Sequence, residues 1–249
     1  MDESIIAAGP DAQRDARLAA LRAQLAAVLD PELDEPITEL GFVEAVEAGT
    51  DGRVRVRLRL PTYWCAANFA FMIAADVRQR LAELPWVRAI AVELADHYCG
   101  GEIGRAVSQG HSFAAAFADQ PGGDLDELRA IFRAKAFMRR QERLGRYLLA
   151  RGCVPAELAA MSIGELAALP LTDADGARLR ELYLEARRAR RDGRTEAAPA
   201  LVRSDGRALC SEELAGYLAG LRRVTLNIEF NAELCRGLLR ARTERTVSR

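Results

Sequence analysis

One cysteine lies where proteins often place a reactive thiol. Cys65 follows the run Arg53–Leu60, whose residues alternate between apolar and arginine, and precedes an apolar segment that ends near Pro85. The run predicts a strand and the segment predicts a helix, which puts Cys65 in or near the first turn of that helix. Free backbone N–H groups and the helix dipole stabilise a thiolate there. A thiolate binds iron or zinc and also acts as a nucleophile, whereas the structural alternative is a cysteine that packs as a small apolar residue.

A second group of candidate ligands lies in the segment His97-Tyr98-Cys99-Gly100-Gly101. It follows Val87–Leu94, which predicts another strand. A helix connects this strand to the one before Cys65, so the two are parallel if they share a sheet, and parallel strands end at one edge. The thiols of Cys65 and Cys99 with the imidazole of His97 would give a metal three ligands and leave one position open. The alternative is an ordinary loop without ligands. For His97 we favour this alternative, with the histidine on the surface. For Cys99 the residues do not decide between the two.

Two carboxylates flank a proline at the end of the first predicted helix. Asp30 and Glu32, on either side of Pro31, are typical of a turn, because aspartate starts turns and proline fixes φ. A role for these carboxylates beside the thiol requires the helix to end near Cys65.

Other kinds of site find little support. Two histidines in 249 residues exclude a multi-histidine metal centre, and no Glu-x-x-His pair marks a di-iron carboxylate bundle. The sequence has no phosphate-binding loop and no G-x-G-x-x-G after a strand. The remaining cysteines, Cys153, Cys210 and Cys235, are isolated on helical stretches, and we interpret them as core or surface thiols.

The helices and strands that position the candidate residues lie before residue 120. A candidate linker follows at Gln120-Pro121-Gly122-Gly123. Hydrophobic periodicity and turn residues predict, in order, a helix over 13–29, a strand over 42–48, a hairpin turn over 49–52, a strand over 53–60, a helix to Leu84, a strand over 87–94 and a short helix from Gly100. The fold class is therefore α+β (α/β), with a small α-β-β-α-β domain over residues 13–119.

Residues 124–249 predict an all-helical, partner-binding region. The pattern indicates a long helix over 124–151, a capping box at Ser162-Ile163-Gly164-Glu165, a helix from Thr172 or Asp173 to about Arg191, and a loop over 192–208. Val224–Phe230 is ambiguous between strand and helix. Asn231 is predicted to cap a separate last helix.

Charge divides the chain unevenly. Residues 1–122 hold 11 basic and 18 acidic side chains, a net of −7, whereas residues 123–249 hold 24 and 18, a net of +6. The basic part suggests partner binding, and a solvated helix surface explains it equally well. The arginines alternate with carboxylates and lack stacking aromatics, so we expect no nucleic-acid partner. Five cysteines, no secretion signal and no apolar run of about 20 residues favour the reduced cytoplasm and no membrane partner.

Several pieces of the sequence resemble, in order and spacing, the metal–sulfur cluster assembly family. This family includes PaaD-like and SufT-like proteins, the mitotic-spindle-interacting-protein type and eukaryotic cytosolic iron–sulfur targeting factors. The pieces surround the alternating strand and are Val28–Leu33, Ile37–Val43 and Pro61–Cys65. The resemblance covers about residues 14–95 and leaves residues 123–249 outside.

The resemblance implies a maturation factor for iron–sulfur clusters or metallocentres and not an enzyme. Its functional cysteine is Cys65, and the signature residues are Asp30, Pro31, Glu32 and Thr62. The implied cofactor is iron or an iron–sulfur cluster, held transiently. Many members carry a proline directly after the cysteine, where this chain has alanine.

The resemblance also implies partners, namely a client metalloenzyme and other cluster-assembly proteins. Residues 60–69 and the long extension are similar to longer bacterial members associated with multicomponent di-iron monooxygenases, which makes such an enzyme the expected client. The oligomeric state does not follow from the sequence.

Three functions stay open at this point. In the first, Cys65, with Cys99, holds or transfers iron or a cluster while the basic helices bind a client. In the second, the chain is a metal-free adaptor. In the third, it is a small thiol-dependent enzyme with Cys65 as nucleophile and His97 as the only nearby base.

Overall fold

The computed structural model of the protein describes residues 10–117 and 125–247 and divides the chain into two compact units. The first unit runs to Leu128 and also contains the chain from Asn231 onward, and the second unit is Arg129–Phe230. The predicted second region ran to residue 249, whereas the second unit ends at Phe230. The predicted linker at 120–123 lies outside the described residues.

The first unit contains the predicted order of helices and strands. Its elements are α1 (Pro10–Ala26), β1 (Val43–Ala48), β2 (Arg53–Leu58), α2 (Ala67–Ala82), β3 (Ala89–Leu94), α3 (Gly100–Gln109) and α4 (Phe113–Ala116). Helix α1 ends three residues before the predicted Leu29, because Leu29 pairs with Pro36 and the Val28 carbonyl accepts a hydrogen bond from Ile37. The α+β class is confirmed.

The three strands form one sheet in the order β1-β2-β3. Strands β1 and β2 are antiparallel, and β2 and β3 are parallel, with Val56 opposite Val92 and Leu58 opposite Leu94. The parallel pairing predicted from the connecting helix is therefore confirmed. As a result, the loops that follow β2 and β3 leave the sheet at the same edge.

The alternating residues of β2 divide between core and solvent as predicted. Val54, Val56 and Leu58 are buried, while the arginines between them are exposed. Two of these arginines pair with carboxylates of the neighbouring strands, as in Arg55 with Glu93 at 3.2 Å. Exposed pairs of this kind contribute about 0–1 kcal/mol each, so the buried face provides most of the stability of the strand.

Helix α3 packs closely on β3 because its glycines leave room. A Cβ atom on Gly100 would lie 2.6 Å from the Leu94 carbonyl oxygen, and one on Gly104 would lie 2.8 Å from the Val92 carbonyl oxygen. Both distances are shorter than side chains tolerate. The glycines therefore fix the start of α3 against the end of β3, next to His97 and Cys99.

The second unit is helical. It is formed by most of α5 (Leu125–Ala150), α6 (Pro155–Ala160), α7 (Ile163–Ala168), α8 (Ala174–Ala189), a 3-10 turn (Arg191–Gly193) and the first part of α9 (Ser211–Val247). The predicted capping box is present, since the Ser162 hydroxyl accepts from the Glu165 N–H and the Glu165 carboxylate accepts from the Ser162 N–H.

Buried polar side chains hold the predicted loop over 192–208. The Gln141 amide nitrogen donates to the Val202 carbonyl (2.9 Å), and its oxygen accepts from the Val202 N–H (3.1 Å). Arg187 is fully buried and donates to the carbonyls of Pro199 and Asp192. The segment lacks long regular elements but is fixed by these bonds.

The last part of the chain is one helix, not two. Helix α9 continues through Val224–Phe230 and through Asn231, so the predicted cap at Asn231 is wrong. One helical face stays buried across this point, because Thr225, Ile228 and Ala232 are spaced three and four residues apart. Neither α9 nor any other helix in the described part of the chain has the length and apolar composition needed to cross a bilayer.

The end of α9 belongs to the first unit and is bound there by two arginines. The Arg236 guanidinium donates to the Glu35 carboxylate (2.6 Å). The Arg242 guanidinium donates to the Leu60 carbonyl (2.8 Å) and pairs with the Asp96 carboxylate (2.6 Å). This pairing holds the pKa of Asp96 below its usual range. The helix end therefore contacts the segments that follow α1, β2 and β3.

We expect Arg242→Ala to lower the free energy of unfolding of the first unit by about 1–2 kcal/mol, because the Leu60 carbonyl and the Asp96 carboxylate lose a charged donor. Both tryptophans, Trp64 and Trp86, lie in the first unit, so urea unfolding followed by their fluorescence reports on it. The exposed Arg240→Ala, on the same helix, should stay within about 0.5 kcal/mol of wild type. Equal stabilities of the two variants would contradict the assigned role of Arg242.

Candidate functional site

Cys65 lies in the loop between β2 and α2. The helix begins at Ala67 with Ala66 as its N-cap, so the thiol lies just ahead of the first turn and not within it. The side chain is half-buried at the margin of the core of the first unit. Its sulfur is 3.3 Å from the Thr62 hydroxyl oxygen, and its N–H donates to the Thr62 carbonyl (3.4 Å). The thiol is thus held by Thr62 and is neither fully covered nor fully exposed.

His97 connects the loop after β3 to the loop that carries Cys65. Its Nε2 is 2.8 Å from the Cys65 carbonyl oxygen. A carbonyl only accepts, so Nε2 carries the proton and Nδ1 is an acceptor. Burial lowers the pKa of His97, and the bond to Cys65 partly opposes this effect. The expectation of a surface histidine is wrong, since His97 is 8% exposed.

Cys99 lies on the other side of the same imidazole. Its N–H donates to His97 Nδ1 at 3.4 Å, and its sulfur is 3.6 Å from that atom. Cys99 is buried, and burial raises the pKa of its thiol. The two loops also bond directly, because the Tyr98 N–H donates to the Tyr63 carbonyl (3.3 Å). The structure therefore brings Cys65, His97 and Cys99 to one edge of the sheet, as the topology predicted.

The turn after α1 is closed by Asp30. Its carboxylate accepts from the N–H groups of Glu32 (2.9 Å) and Leu33 (2.8 Å), which is the turn chemistry that the residue types indicate. The side chain is buried, and burial raises the pKa of Asp30 to about 6, with smaller contributions from the charges of Glu32 and Glu35.

A third cysteine of the first unit, predicted from the sequence as a core or surface thiol, packs against the same core. Cys235, on the part of α9 that belongs to the first unit, is half-buried against the same core as Cys65. Burial, followed by the charges of Asp30 and Cys65, raises its pKa to about 11. No local pattern marks Cys235, because its environment is formed by residues about 200 positions earlier in the chain.

Three exposed aromatic side chains come from the loops that carry Cys65 and Cys99. Trp64 is 76% exposed, and Tyr63 and Tyr98 are each about 40% exposed. The Trp64 ring lies 4.7 Å from the Tyr63 ring and 6.1 Å from the Tyr98 ring, measured between centroids. We call these three side chains the aromatic cluster. Exposed, contiguous rings of this kind are typical of protein-binding surfaces.

The candidate ligands do not form a closed metal site. Within residues 10–117 and 125–247, no group of three or more His, Cys, Asp and Glu side chains has an arrangement that could hold a metal ion. In the arrangement present, His97 directs Nε2 at a backbone carbonyl and Nδ1 at Cys99. Its imidazole therefore positions the backbone of Cys65.

Comparison with known proteins finds a family match in the first part of the chain. Residues 18–94 match the family model described as iron-sulfur cluster assembly protein. This match confirms the resemblance to the iron–sulfur cluster assembly family that the sequence shows over about residues 14–95. The segment contains α1 from residue 18, all three strands and Cys65.

The curated relatives carry one name. The chain is 40% identical over 76 residues to the iron-sulfur cluster carrier proteins of Mycobacterium tuberculosis and Mycobacterium bovis, and 36% identical over 75 residues to that of Mycobacterium leprae. Each match covers 30% of this chain, and the chain spans only 19% of the length of these relatives.

One solved structure is also similar. It is the crystal structure of a domain of unknown function, DUF59, from Bacillus anthracis, with 27% sequence identity. The match covers 39% of this chain and 93% of that chain, with a TM-score of 0.32.

We expect the unfolding free energy of the protein to depend on pH through Asp30. The folded protein keeps the carboxyl proton up to about pH 6, whereas the unfolded chain releases it near 3.8. The Asp30 carboxyl group therefore adds to the free energy of unfolding as the pH falls through 6 toward 4, and this stabilisation is lost as the pH rises. A pKa shift of this size corresponds to a contribution of about 2–3 kcal/mol to the free energy of unfolding.

Asp30→Asn is the matched variant, because its amide oxygen retains the acceptor for Glu32 and Leu33. We expect urea unfolding at several pH values between 4 and 7 to show that the free energy of unfolding of wild type, relative to that of the variant, decreases as the pH rises. Parallel curves for the two proteins would show that the carboxyl group does not titrate as described.

Proposed function

We propose that the protein is a maturation factor that holds iron or an iron–sulfur cluster at Cys65 and delivers it to a client metalloenzyme. The observation that carries this proposal is the half-buried Cys65 thiol in a segment of the iron–sulfur cluster assembly family, held by Thr62 and by His97. The name of the curated relatives, iron-sulfur cluster carrier protein, supports a carrier role.

The surroundings of Cys65 suit a ligand that must bind and then release its cargo. On binding iron, the thiol loses its proton and becomes an acceptor, so the Thr62 hydroxyl at 3.3 Å donates to it. His97 keeps the backbone of Cys65 in place and does not compete for the metal through Nε2. The cluster or ion is cargo in this scheme, and the chain performs no catalytic step on it.

The aromatic cluster offers a docking surface beside the thiol. Buried tryptophan and tyrosine side chains carry much of the binding free energy in protein interfaces. Trp64 directly precedes Cys65 in the same loop, so a partner that covers Trp64 would contact the loop that carries the thiol. We assign this surface to the acceptor of the cluster, and the resemblance of the chain makes a multicomponent di-iron monooxygenase the proposed client.

The geometry disfavours a thiol-dependent enzyme. Such an enzyme needs a base that takes the proton of Cys65, and His97 is the base that the sequence predicts for this role. Both ring nitrogens of His97 are occupied, by the Cys65 carbonyl and by the Cys99 N–H. A metal-free adaptor remains the competing function, and the experiments below distinguish it.

We expect Cys65→Ala to lose the metal. Protein isolated or reconstituted without oxygen should contain iron, with or without acid-labile sulfide, and the variant should bind iron at least about tenfold more weakly because a direct ligand is missing. Iron and sulfide analysis, with anaerobic titration of Fe²⁺, measures this effect. Cys210→Ala, which removes an exposed thiol of the second unit, should match wild type.

The competing functions give different results in the same experiment. A wild-type iron affinity in Cys65→Ala would overturn the carrier proposal. If no form of the protein binds iron and the client enzyme is activated equally by wild type and Cys65→Ala, the chain is an adaptor.

We further expect Trp64→Ala to slow cluster delivery without reducing cluster content. Loss of a central interface tryptophan costs about 2 kcal/mol or more, which corresponds to roughly thirtyfold weaker binding of the acceptor. Transfer of iron to the apo form of the client, followed by the return of client activity, measures the effect. Ile131→Ala, an exposed apolar side chain of the second unit, is the control. Equal transfer rates for the two variants would exclude the aromatic cluster as the docking surface.

A further inference from the structure

Arg242 joins the two loops that carry the candidate site residues, although it lies outside the segment that matches the family model. It is on the part of α9 that belongs to the first unit. Its guanidinium donates to the Leu60 carbonyl oxygen at 2.8 Å, to the Asp96 carboxylate, with the closest approach at 2.6 Å, and to the Asp96 carbonyl oxygen. Leu60 begins the loop of Cys65, and Asp96 directly precedes His97. One side chain thus contacts both loops.

The contacts of Arg242 suit a guanidinium better than any other side chain. Arginine carries five N–H donors in a planar fork, and here they meet three different acceptors, which are two backbone carbonyl oxygens and one carboxylate. A lysine ammonium is a point charge on a flexible stem and does not match this arrangement. The Arg242 side chain is 15% exposed, so solvent screens its bonds less than those of a surface ion pair.

The backbone of Asp96 has a conformation that needs support from its surroundings. Its φ is +54°, in the left-handed region that residues with a side chain rarely adopt. Such a conformation costs free energy and persists where neighbouring groups hold it. Arg242 binds both the carbonyl and the carboxylate of Asp96, and Arg59 lies 3.6 Å from the same carboxylate. These bonds hold the turn from which His97 reaches the Cys65 carbonyl at 2.8 Å.

The backbone hydrogen bonds that the loops make themselves are long. The Tyr98 N–H group donates to the Tyr63 carbonyl at 3.3 Å, and the Cys65 N–H group donates to the Thr62 carbonyl at 3.4 Å. Both distances exceed the usual range of about 2.7–3.2 Å for N–H···O bonds, so these bonds are weak. Arg242 therefore supplies charged hydrogen bonds where the loops have little support of their own.

We propose that Arg242 is a positioning residue for the Cys65 site, which keeps the loops of Cys65 and His97 in the geometry that binds cargo. The proposal rests on the proposed function of Cys65 and adds to it a residue of the last helix. Arg242 acts through Leu60 and Asp96 and not as a ligand, because a guanidinium has donors only and stays protonated. Residues that hold a metal ligand in place typically change metal affinity by about 10- to 100-fold.

Amide exchange of the metal-free protein tests the positioning role directly. We expect the N–H groups of Cys65 and Tyr98 to exchange about tenfold faster in Arg242→Ala than in wild type, because charged hydrogen bonds no longer oppose local opening of the loops. Residue-resolved NMR of the ¹⁵N-labelled full chain measures these rates. Arg242→Lys keeps the charge without the planar fork, and it should resemble Arg242→Ala.

Arg236→Ala is the matched control. Arg236 lies on the same helix end but donates to the Glu35 carboxylate at 2.6 Å, in the turn after α1. This variant should weaken the attachment of the helix and leave exchange at Cys65 and Tyr98 within about twofold of wild type, because local opening depends on local bonds. Urea unfolding followed by tryptophan fluorescence establishes that every variant is folded. A role in overall stability alone would instead make Arg236→Ala and Arg242→Ala alike at these two amides, and that result would overturn the proposal.

Anaerobic titration with Fe²⁺ connects the position of the loops to the cargo. The Kd for Fe²⁺ should rise about tenfold in Arg242→Ala and in Arg242→Lys, and it should stay near wild type in Arg236→Ala. If Arg242→Ala binds Fe²⁺ as wild type does while Cys65→Ala loses it, Arg242 is not a positioning residue and the proposed function stands. If Cys65→Ala also binds Fe²⁺ as wild type does, the carrier function is refuted, and the role of Arg242 in cargo binding with it.

Discussion

The arrangement of the candidate site depends on the parallel pairing of β2 with β3. Parallel strands end at the same edge, so the loops that carry Cys65 and Cys99 meet although they are more than thirty residues apart. The imidazole of His97 then fixes the two loops together, with one nitrogen on the Cys65 carbonyl and the other on the Cys99 N–H. If the strands were paired in another way, the loops would leave the sheet at different edges and the thiol would lose its support.

The local features of the first unit were predictable because they follow from short-range physics. The alternation of Val54, Val56 and Leu58 with arginines specifies a strand with one buried face. The helix between β2 and β3 requires a parallel crossover. Even the closeness of His97 to the Cys65 loop followed from this topology. The burial of His97 could not be predicted, because the sequence of a glycine-containing loop does not indicate which residues pack over its histidine.

The role of α9 could not be predicted, for a different reason. Its sequence near Asn231 contains a good capping residue, and the preceding residues are rich in β-branched side chains, so a break in the helix was expected. Tertiary contacts override both preferences. Thr225, Ile228 and Ala232 bury one continuous face, and Arg236 and Arg242 find partners in residues 35, 60 and 96. Such long-range pairs produce no periodic pattern in the sequence, so the sequence alone predicts Cys235 to be an isolated thiol.

The charged face of the sheet has a consequence for how partners find this protein. Arginines of β2 alternate with glutamates of β1 and β3 at contact distances of 3 to 4 Å. At physiological salt, fields decay over about 8 Å, so opposite charges this close cancel before they reach an approaching molecule. This face therefore gives little long-range steering. Under the proposed function, an acceptor would therefore be recognised through the rings at the strand ends and not through this charged face.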